Sequence, residues 1–554
     1  MNKFPFYLLA FLAVNAFAQV RPDAGSILRE QRPRLPEAPR EAKPMLQPAE
    51  DRPALQAAPD ARFNVRSVRI RGNTAFPESE LLPLVKDLVG REVSLKQLQD
   101  AAARITAYYR ARGFIVARAY IPAQRMEGGA VEIAVLEGLL GGVSLQNRSL
   151  LSDATATRFL APLAPGTPVH AETVERQLLL LSDQPGVGAV TPVLRPGATT
   201  GTSALGVELA PGPRATGALE LDNYGNRFSG KNRITGSANV NSPFGLGETF
   251  SLRVTESDGD MQFLRLLASA PLGGQGLRMG LAYVDSSYGL GKDFAALQAN
   301  GTARVGTAFA SYPFLRSTAV NVNGSVSWDA KRIEDRVDST ATVTPKRNDS
   351  ATFTLSGDLR DKLLDGSLFI WSAAYSSGRL AIDSAAAKAT DDTAARTAGH
   401  YEKWNGTFYY IKELPGPWSL SLSGQAQRAG KNLDSSEKFA LGGPFGVRAY
   451  PQGEAPGDEG ILLSAEVRYL MQPVFGATPA ISAFIDQGEI KINRNPFATG
   501  SNTRHLGGAG VGLTFAKAGD YSLRWLWSWK TTSSPATADN DRNGRGWVQL
   551  VKSF

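Results

Sequence analysis

From Thr216 to the terminal Phe554 the sequence alternates apolar and polar residues with a period of two, in short segments separated by Gly, Pro, Asn and Asp. Val320, Val322, Gly324, Val326 and Trp328 alternate with Asn321, Asn323, Ser325 and Ser327. Trp418, Leu420 and Leu422 alternate with Ser419, Ser421 and Ser423. Tyr521, Leu523, Trp525, Trp527 and Trp529 alternate with Ser522, Arg524, Ser528 and Lys530, and Leu526 is the one apolar exception. Successive side chains of a strand point to opposite faces, so each segment of about ten residues has one oily and one polar face. A soluble sandwich would press the oily faces of two sheets together; a membrane barrel would turn them to lipid. Loop lengths decide between the two. There are about sixteen segments, an even number as single-chain bacterial barrels have. Connections after even segments are short: PFGLG, LGG at 272–274, LRST, LDG and PGP. Connections after odd segments include the long ones, near 379–399, 430–460, 491–504 and 532–545. A sandwich has no reason to sort loops by parity, whereas a barrel puts short turns on one rim and long loops on the other. The expected fold is a transmembrane antiparallel β-barrel over residues 213–554.

The first third of the chain follows other rules. Residues 1–18 read as a secretory signal: Lys3, an apolar run from Phe6 to Val14, and Ala16-Phe17-Ala18 before a cleavage point at Gln19. That run is shorter than the roughly 20 residues of a spanning helix. Within residues 19–32, Pro22 to Gln31 is a short helix with Asp23 at its N-cap and Pro33 as its stop. Residues 33–61 carry a proline about every four residues and read as an extended linker with a reach of about 80 Å. Residues 62–138 then combine a strand (FNVRSVRIRGN), two helices (PESELLPLVKDLV and SLKQLQDAAARITAYYRARG, from Ser94 to Gly113) and a hairpin (FIVARAYIPAQ with GAVEIAVLEG). Residues 139–212 repeat this βααββ order more loosely, an internal repeat with a period of about 75 residues.

Composition excludes several kinds of chemistry. There is no cysteine, so disulfides and thiolate metal sites are absent, and three scattered histidines have no metal-ligand spacing. No phosphate-binding loop of the Gly-x-x-x-x-Gly-Lys-Ser/Thr kind occurs, and LGGAGVG at 506–512 reads as a strand's glycines. No triad can be assembled, so no catalytic residues, enzyme activity or cofactor are expected. The +8 formal charge is mild for 554 residues and no basic run carries interleaved aromatics, so nucleic acid is not expected as a partner.

One stretch stands out, Leu441 to Gly460, LGGPFGVRAYPQGEAPGDEG, where Val447, Arg448, Ala449 and Tyr450 sit among glycines and prolines. Taken by itself, Arg448 is either a solvated loop arginine or an anchor. In AISAFIDQGEI, Ile481, Ala483 and Ile485 share one face, which leaves Phe484 and Asp486 on the other, lumenal one. The chain ends in GWVQLVKSF, with Val548 and Leu550 on one face, and the terminal Phe554 resembles an outer-membrane assembly signal.

Together the signal, short helix, Pro-rich linker, two βααββ units and barrel resemble the two-partner secretion transporters, the haemolysin secretion/activation proteins that join POTRA domains to an outer-membrane barrel. The resemblance covers essentially the whole mature chain. Val447-Arg448-Ala449-Tyr450 is similar to the family's Val-Arg-Gly-aromatic loop motif, and Phe484-Ile485-Asp486 to its Phe-x-Asp strand motif. Ala449 departs from the motif's glycine, so the loop must accept a Cβ there. The resemblance implies that loop 430–460 folds into the lumen with Arg448 held by Asp486 in a bidentate contact. It implies that the helix bearing Asp23, Ile27 and Leu28 plugs the pore. It also implies that POTRA 1 (62–138) and POTRA 2 (139–212) bind an unfolded exoprotein in the periplasm. That partner would be of haemolysin, adhesin or contact-dependent toxin type, exported without nucleotide hydrolysis; outer-membrane lipid and the outer-membrane assembly machinery are the other implied partners. An insertase for outer-membrane proteins is the alternative within the same architecture, although such chains have more POTRA repeats and lack this helix and linker. A small-solute porin would need no periplasmic repeats.

Overall fold

A computed structural model describes residues 21–31, 62–125, 127–360 and 366–554. The signal at 1–18 and the linker at 33–61 lie outside the described residues. Sixteen antiparallel strands close into a barrel whose last strand, Gly544–Ser553, pairs with the first, Ala215–Asp222. The oily faces do point outward: Trp328, Phe353, Trp404, Trp525 and Trp527 are exposed on the outer wall. The parity rule holds as well. One rim carries connections 223–232, 258–261, 290–298, 338–341, 383–398, 430–458, 492–502 and 531–543; the other carries seven that run from 317–319 to 360–367 in extremes of length.

Strand length differs from the expected ten or so residues. Ala299–Arg316, Val320–Val337 and Thr342–Leu359 each run for 18 residues. Toward the long-loop rim their outer faces carry ion pairs, Arg304 with Asp285 at 3.1 Å, Arg332 with Asp349 at 2.8 Å and Arg347 with Asp383 at 2.7 Å. Charged outer-face residues are costly in hydrocarbon, so these rungs stand in water above the membrane. A period-two pattern that changes from oily to charged on its outer face does not reveal where such a strand stops.

The part that precedes the barrel is two small α+β units. The first departs from the simple βααββ order. Its leading strand breaks at Arg66 into Arg62–Val65, which pairs with an extra strand Arg91–Ser94, and Ser67–Arg71, which runs parallel to Ala130–Leu136. The break has a clear cause: Val65, Val68 and Ile70 are all buried, yet 65 and 68 would face opposite ways in one continuous strand. A kink, with Arg66 N donating to Gly129 O at 2.7 Å, turns both inward. The first helix is one α-turn, Glu78–Leu81, continued as a 3₁₀ helix, Leu82–Leu88, where Pro83 withholds an N–H. The long helix Leu95–Ala111 has Ser94 and Gln97 in a capping box. Of the expected strand FIVARAYIPAQ only Arg118–Tyr120 is paired. The second unit keeps the order, with Leu139–Asn147 parallel to Thr202–Pro211 and helices Asp153–Leu160 and Ala171–Ser182.

His170 joins the two units: its Nε2 lies 3.0 Å from Arg112 O, and Ala171 N donates to Gly113 O at 2.8 Å. The second unit is fastened to the short-turn rim. Asp183 accepts from Arg316 Nε at 2.7 Å and Nη2 at 2.8 Å, Arg176 Nη2 donates to Pro313 O at 2.8 Å, and Thr318 N donates to Glu175 at 2.8 Å. These units therefore share the short-turn rim, opposite the long loops.

Candidate functional site

Two elements occupy the lumen. The first is the connection 430–458, which folds back into the barrel as a hairpin, with Phe439–Ala440 paired to Pro456–Gly457. Its turn needs Gly446, where a Cβ would lie 1.9 Å from Leu441 O. At the tip, Arg448 meets four strands of the wall. Nε and the backbone N donate to Asp486 Oδ2 at 2.9 and 3.0 Å, and Nη2 donates to Asp486 Oδ1 at 2.8 Å. Nη1 donates to Glu466 at 2.7 Å, and Nη2 also reaches Ser464 Oγ at 3.0 Å. The guanidinium carbon sits 3.3 Å from the Phe484 ring centroid, a cation–π stack. Arg448 O in turn accepts from Ser528 Oγ and Trp547 Nε1, both at 2.7 Å. Arg448 is 5% exposed and Asp486 is fully buried.

The wall is shaped to receive the tip. Phe484 and Asp486 point inward from Thr478–Lys491, while Ile481 and Ile485 are exposed outside. Gly508 on the next strand faces Ala449, and a Cβ at Gly508 would lie 2.8 Å from the Ala449 Cβ. The room for the extra methyl at 449 is therefore in the wall rather than in the loop. Tyr450 OH donates to Ser534 O at 2.8 Å and so ties the tip to the connection 531–543. Val447 is fully buried beside it.

The second element is the helix Ala24–Glu30. Asp23 caps it, accepting from Ser26 N at 2.8 Å, while Ser26 Oγ accepts from Asp23 N at 2.9 Å. Ile27 and Leu28 are buried against Phe228, Met261, Phe263, Tyr288, Leu290 and Ala303, an oily patch of the lumenal wall. Ala24 N donates to Asp335 Oδ1 at 2.8 Å. Gly25 sits on the inward loop: a Cβ there would be 2.5 Å from Ser435 Oγ and 2.8 Å from Ser436 N. Arg29 Nη1 donates to Ser435 O at 2.9 Å. Buried charges bind that part of the loop to the wall. Glu437 pairs with Lys331 and, at 2.7 Å, with Lys403, and Asp434 pairs with Lys346 at 3.0 Å.

Sequence reasoning missed four groups at the tip: Ser464, Glu466, Ser528 and Trp547. The only sign of them is Leu526, the apolar residue on the polar face, which packs with Tyr224, Phe484 and Trp547 beside the lock. The oily cradle for the helix also leaves a trace, since Phe263, Leu264, Leu266 and Leu267 put apolar residues on both faces of one strand. Phe554 lies apart from both elements, exposed at the short-turn rim, where its backbone pairs with Gly217 at 2.9 and 3.2 Å. Lys552 beside it pairs with Asp520.

The family model of the haemolysin secretion/activation protein ShlB/FhaC/HecB matches residues 201–515, more than half of the chain. The chain belongs to that family. A ShlB-type POTRA domain model matches residues 63–138. Among curated relatives, the heme/hemopexin transporter protein HuxB of Haemophilus influenzae (strain 86-028NP) is 28% identical over 559 residues, which cover 98% of this chain and 97% of that protein. The outer membrane transporter CdiB of Dickeya dadantii (strain 3937) is 22% identical over 474 residues, 84% of this chain and 81% of that protein. The solved structure of CdiB from Escherichia coli superposes with a TM-score of 0.74 at 18% identity and covers 93% of this chain and 94% of that one. The ShlB/FhaC/HecB-type protein is thus a two-partner secretion transporter of the outer membrane, with its POTRA domains in the periplasm.

Proposed function

We propose that this transporter takes one unfolded exoprotein from the periplasm through its POTRA units, 62–138 and 139–212, and passes it through the barrel to the surface without nucleotide hydrolysis and without enzymatic chemistry. The exoprotein is of the adhesin, haemolysin or contact-dependent toxin type; the likeness to HuxB adds a heme- or hemopexin-directed protein to that range. The helix with Asp23, Ile27 and Leu28 is the removable plug. The Val447–Tyr450 tip, locked on Phe484 and Asp486, is the permanent one. The oily outer face is for outer-membrane lipid, and Phe554 on the exposed final strand is the mark read by the assembly machinery.

The observation that carries this reading is the Arg448–Asp486–Glu466 lock, because a pore for small solutes has no need of a buried three-charge anchor at its centre. The test is co-expression with a candidate exoprotein, reading surface-exposed exoprotein and heat-modifiable migration of the barrel together. Deleting residues 62–210 should abolish export and leave a folded barrel. Undiminished surface exoprotein after that deletion would sink the role of the POTRA units. A general loss of outer-membrane proteins on removal of the whole gene would instead favour an insertase.

A further inference from the structure

The lumenal wall carries two arginines that neither plug uses. Arg253 on Thr249–Ser257 and Arg265 on Gln262–Pro271 are direct cross-strand partners. Phe250, Leu252 and Val254 are exposed outside, so Arg253 points into the lumen, and Arg265 shares its face with Phe263, which touches the helix. Across the neighbouring strands they face Ser237 and Val284, not a carboxylate. Arg253 Nε is buried with no hydrogen-bond partner, and neither guanidinium belongs to an ion pair among the described residues. The two arginines that anchor the loop tip and the second α+β unit are paired with carboxylates by contrast: Arg448 with Asp486 and Glu466, Arg316 with Asp183.

Like charges placed directly opposite on a sheet destabilise it, and a buried guanidinium N–H without an acceptor costs more. Both costs vanish once an oxyanion bridges the pair, since planar guanidinium forks are suited to carboxylate, sulfate and phosphate oxygens. The place is telling. Arg265 lies two residues, about 7 Å, to the periplasmic side of Phe263 and hence of the helix. A group ascending the lumen meets the arginines before it meets the plug.

We propose that Arg253 and Arg265 form an oxyanion-binding station in the pore wall, which takes either a free oxyanion or the carboxylate side chains of a polypeptide entering from the periplasm. The binding stands on the geometry alone; only the polypeptide as source rests on the export reading.

The full-length protein in neutral detergent is treated with phenylglyoxal, and modification of each arginine is followed by peptide mass spectrometry. Sodium sulfate, compared with sodium chloride at equal ionic strength, should slow modification of Arg253 and Arg265 by about threefold once it is at twice its dissociation constant. Exposed Arg195 in the second POTRA unit should be unaffected. A glutamate-rich peptide that protects where its glutamine counterpart does not assigns the station to polypeptide carboxylates; protection by sulfate alone assigns it to a free anion. Equal rates at Arg253, Arg265 and Arg195 under every condition would overturn the station, whatever the outcome of export assays. R253Q and R265Q provide the second measurement. Each should raise the thermal midpoint in chloride, through lost repulsion, and abolish the further rise that sulfate gives the unaltered protein. A sulfate response unchanged in the double variant would overturn the proposal as well.

Discussion

The two obstacles in the lumen are held by opposite kinds of force. The inward loop is covalently continuous at both ends and fixed by buried charge: Arg448 on Asp486 and Glu466 at the tip, Glu437 and Asp434 on three lysines further back. The helix is seven residues long, has one hydrogen bond from its first turn to the wall, and rests on an oily patch through Ile27 and Leu28. Breaking a buried ion pair from one side costs about 3–5 kcal/mol, because the other charge stays behind. Withdrawing the helix breaks the hydrogen bonds from Ala24 N to Asp335 and from Arg29 to Ser435 O, and a helix this short has little stability alone. On this comparison the loop is the harder of the two to displace, as the proposed roles require.

The largest effect should come from Arg448→Ala, which leaves Asp486 buried without its cation and Glu466 with only the half-exposed Arg468, and should cut surface exoprotein by about tenfold or more, in proportion to a cost of several kcal/mol. Arg448→Lys should recover little, since a single ammonium cannot fork across Asp486 and Glu466. Asp486→Ala should fall nearly as far, and the double variant no further than either single one; effects that simply add would show that the two do not act through one contact. Next in size is Gly25→Val, whose side chain would collide with Ser435 and Ser436 and drive the helix off the loop. Ion conductance in planar bilayers should rise while export persists. If conductance is unchanged, the helix is not what blocks the pore. Ile27→Ala and Leu28→Ala should act in the same direction but more weakly, each removing part of the roughly 1.5–3 kcal/mol that burial of such a side chain contributes, seen as more frequent openings rather than a steady current. The smallest effect tests the wall: Gly508→Ala should lower the thermal midpoint by overpacking worth about 1–3 kcal/mol, and Ala449→Gly in the same chain should restore it.

The difference between loop and helix also governs what could be read in the sequence. The barrel was legible because the strand period recurs in sixteen strands and the loop parity in the fifteen connections between them, so one irregular segment alters nothing. Arg448 was conspicuous among glycines, and Asp486 could be set on the lumenal face by parity. Glu466 could not, because a carboxylate on a strand's polar face looks like any wet lumenal residue until the tip is folded against it. The kink at Arg66 was missed although a trace of it is present: FNVRSVRIRGN reads as one strand, yet Val65 and Val68 violate the two-residue period within that run. Strand ends were illegible for a simple reason, that hydrogen bonding along an extended ribbon continues past the membrane wherever the outer side chains can be wet.

Arg448 has a mechanical meaning beyond its charge. Its guanidinium is fastened to Glu459–Leu470 and Thr478–Lys491, and its carbonyl to Tyr521–Lys530 and Gly544–Ser553. One residue therefore spans a chord between the twelfth and the sixteenth strand, like a tie-rod across part of a hoop. That arc resists ovalisation, and it includes the last strand, whose ladder to the first pairs only Gln549–Ser553 with Ala218–Asp222. Among the described residues the opposite arc, where the helix and the two arginines sit, is tied to the inward loop at its edge, by Glu437 to Lys331 and Lys403 and by Asp434 to Lys346, once the helix is gone. Under load from a chain in transit, the barrel should widen on that side and keep its roundness on the braced one.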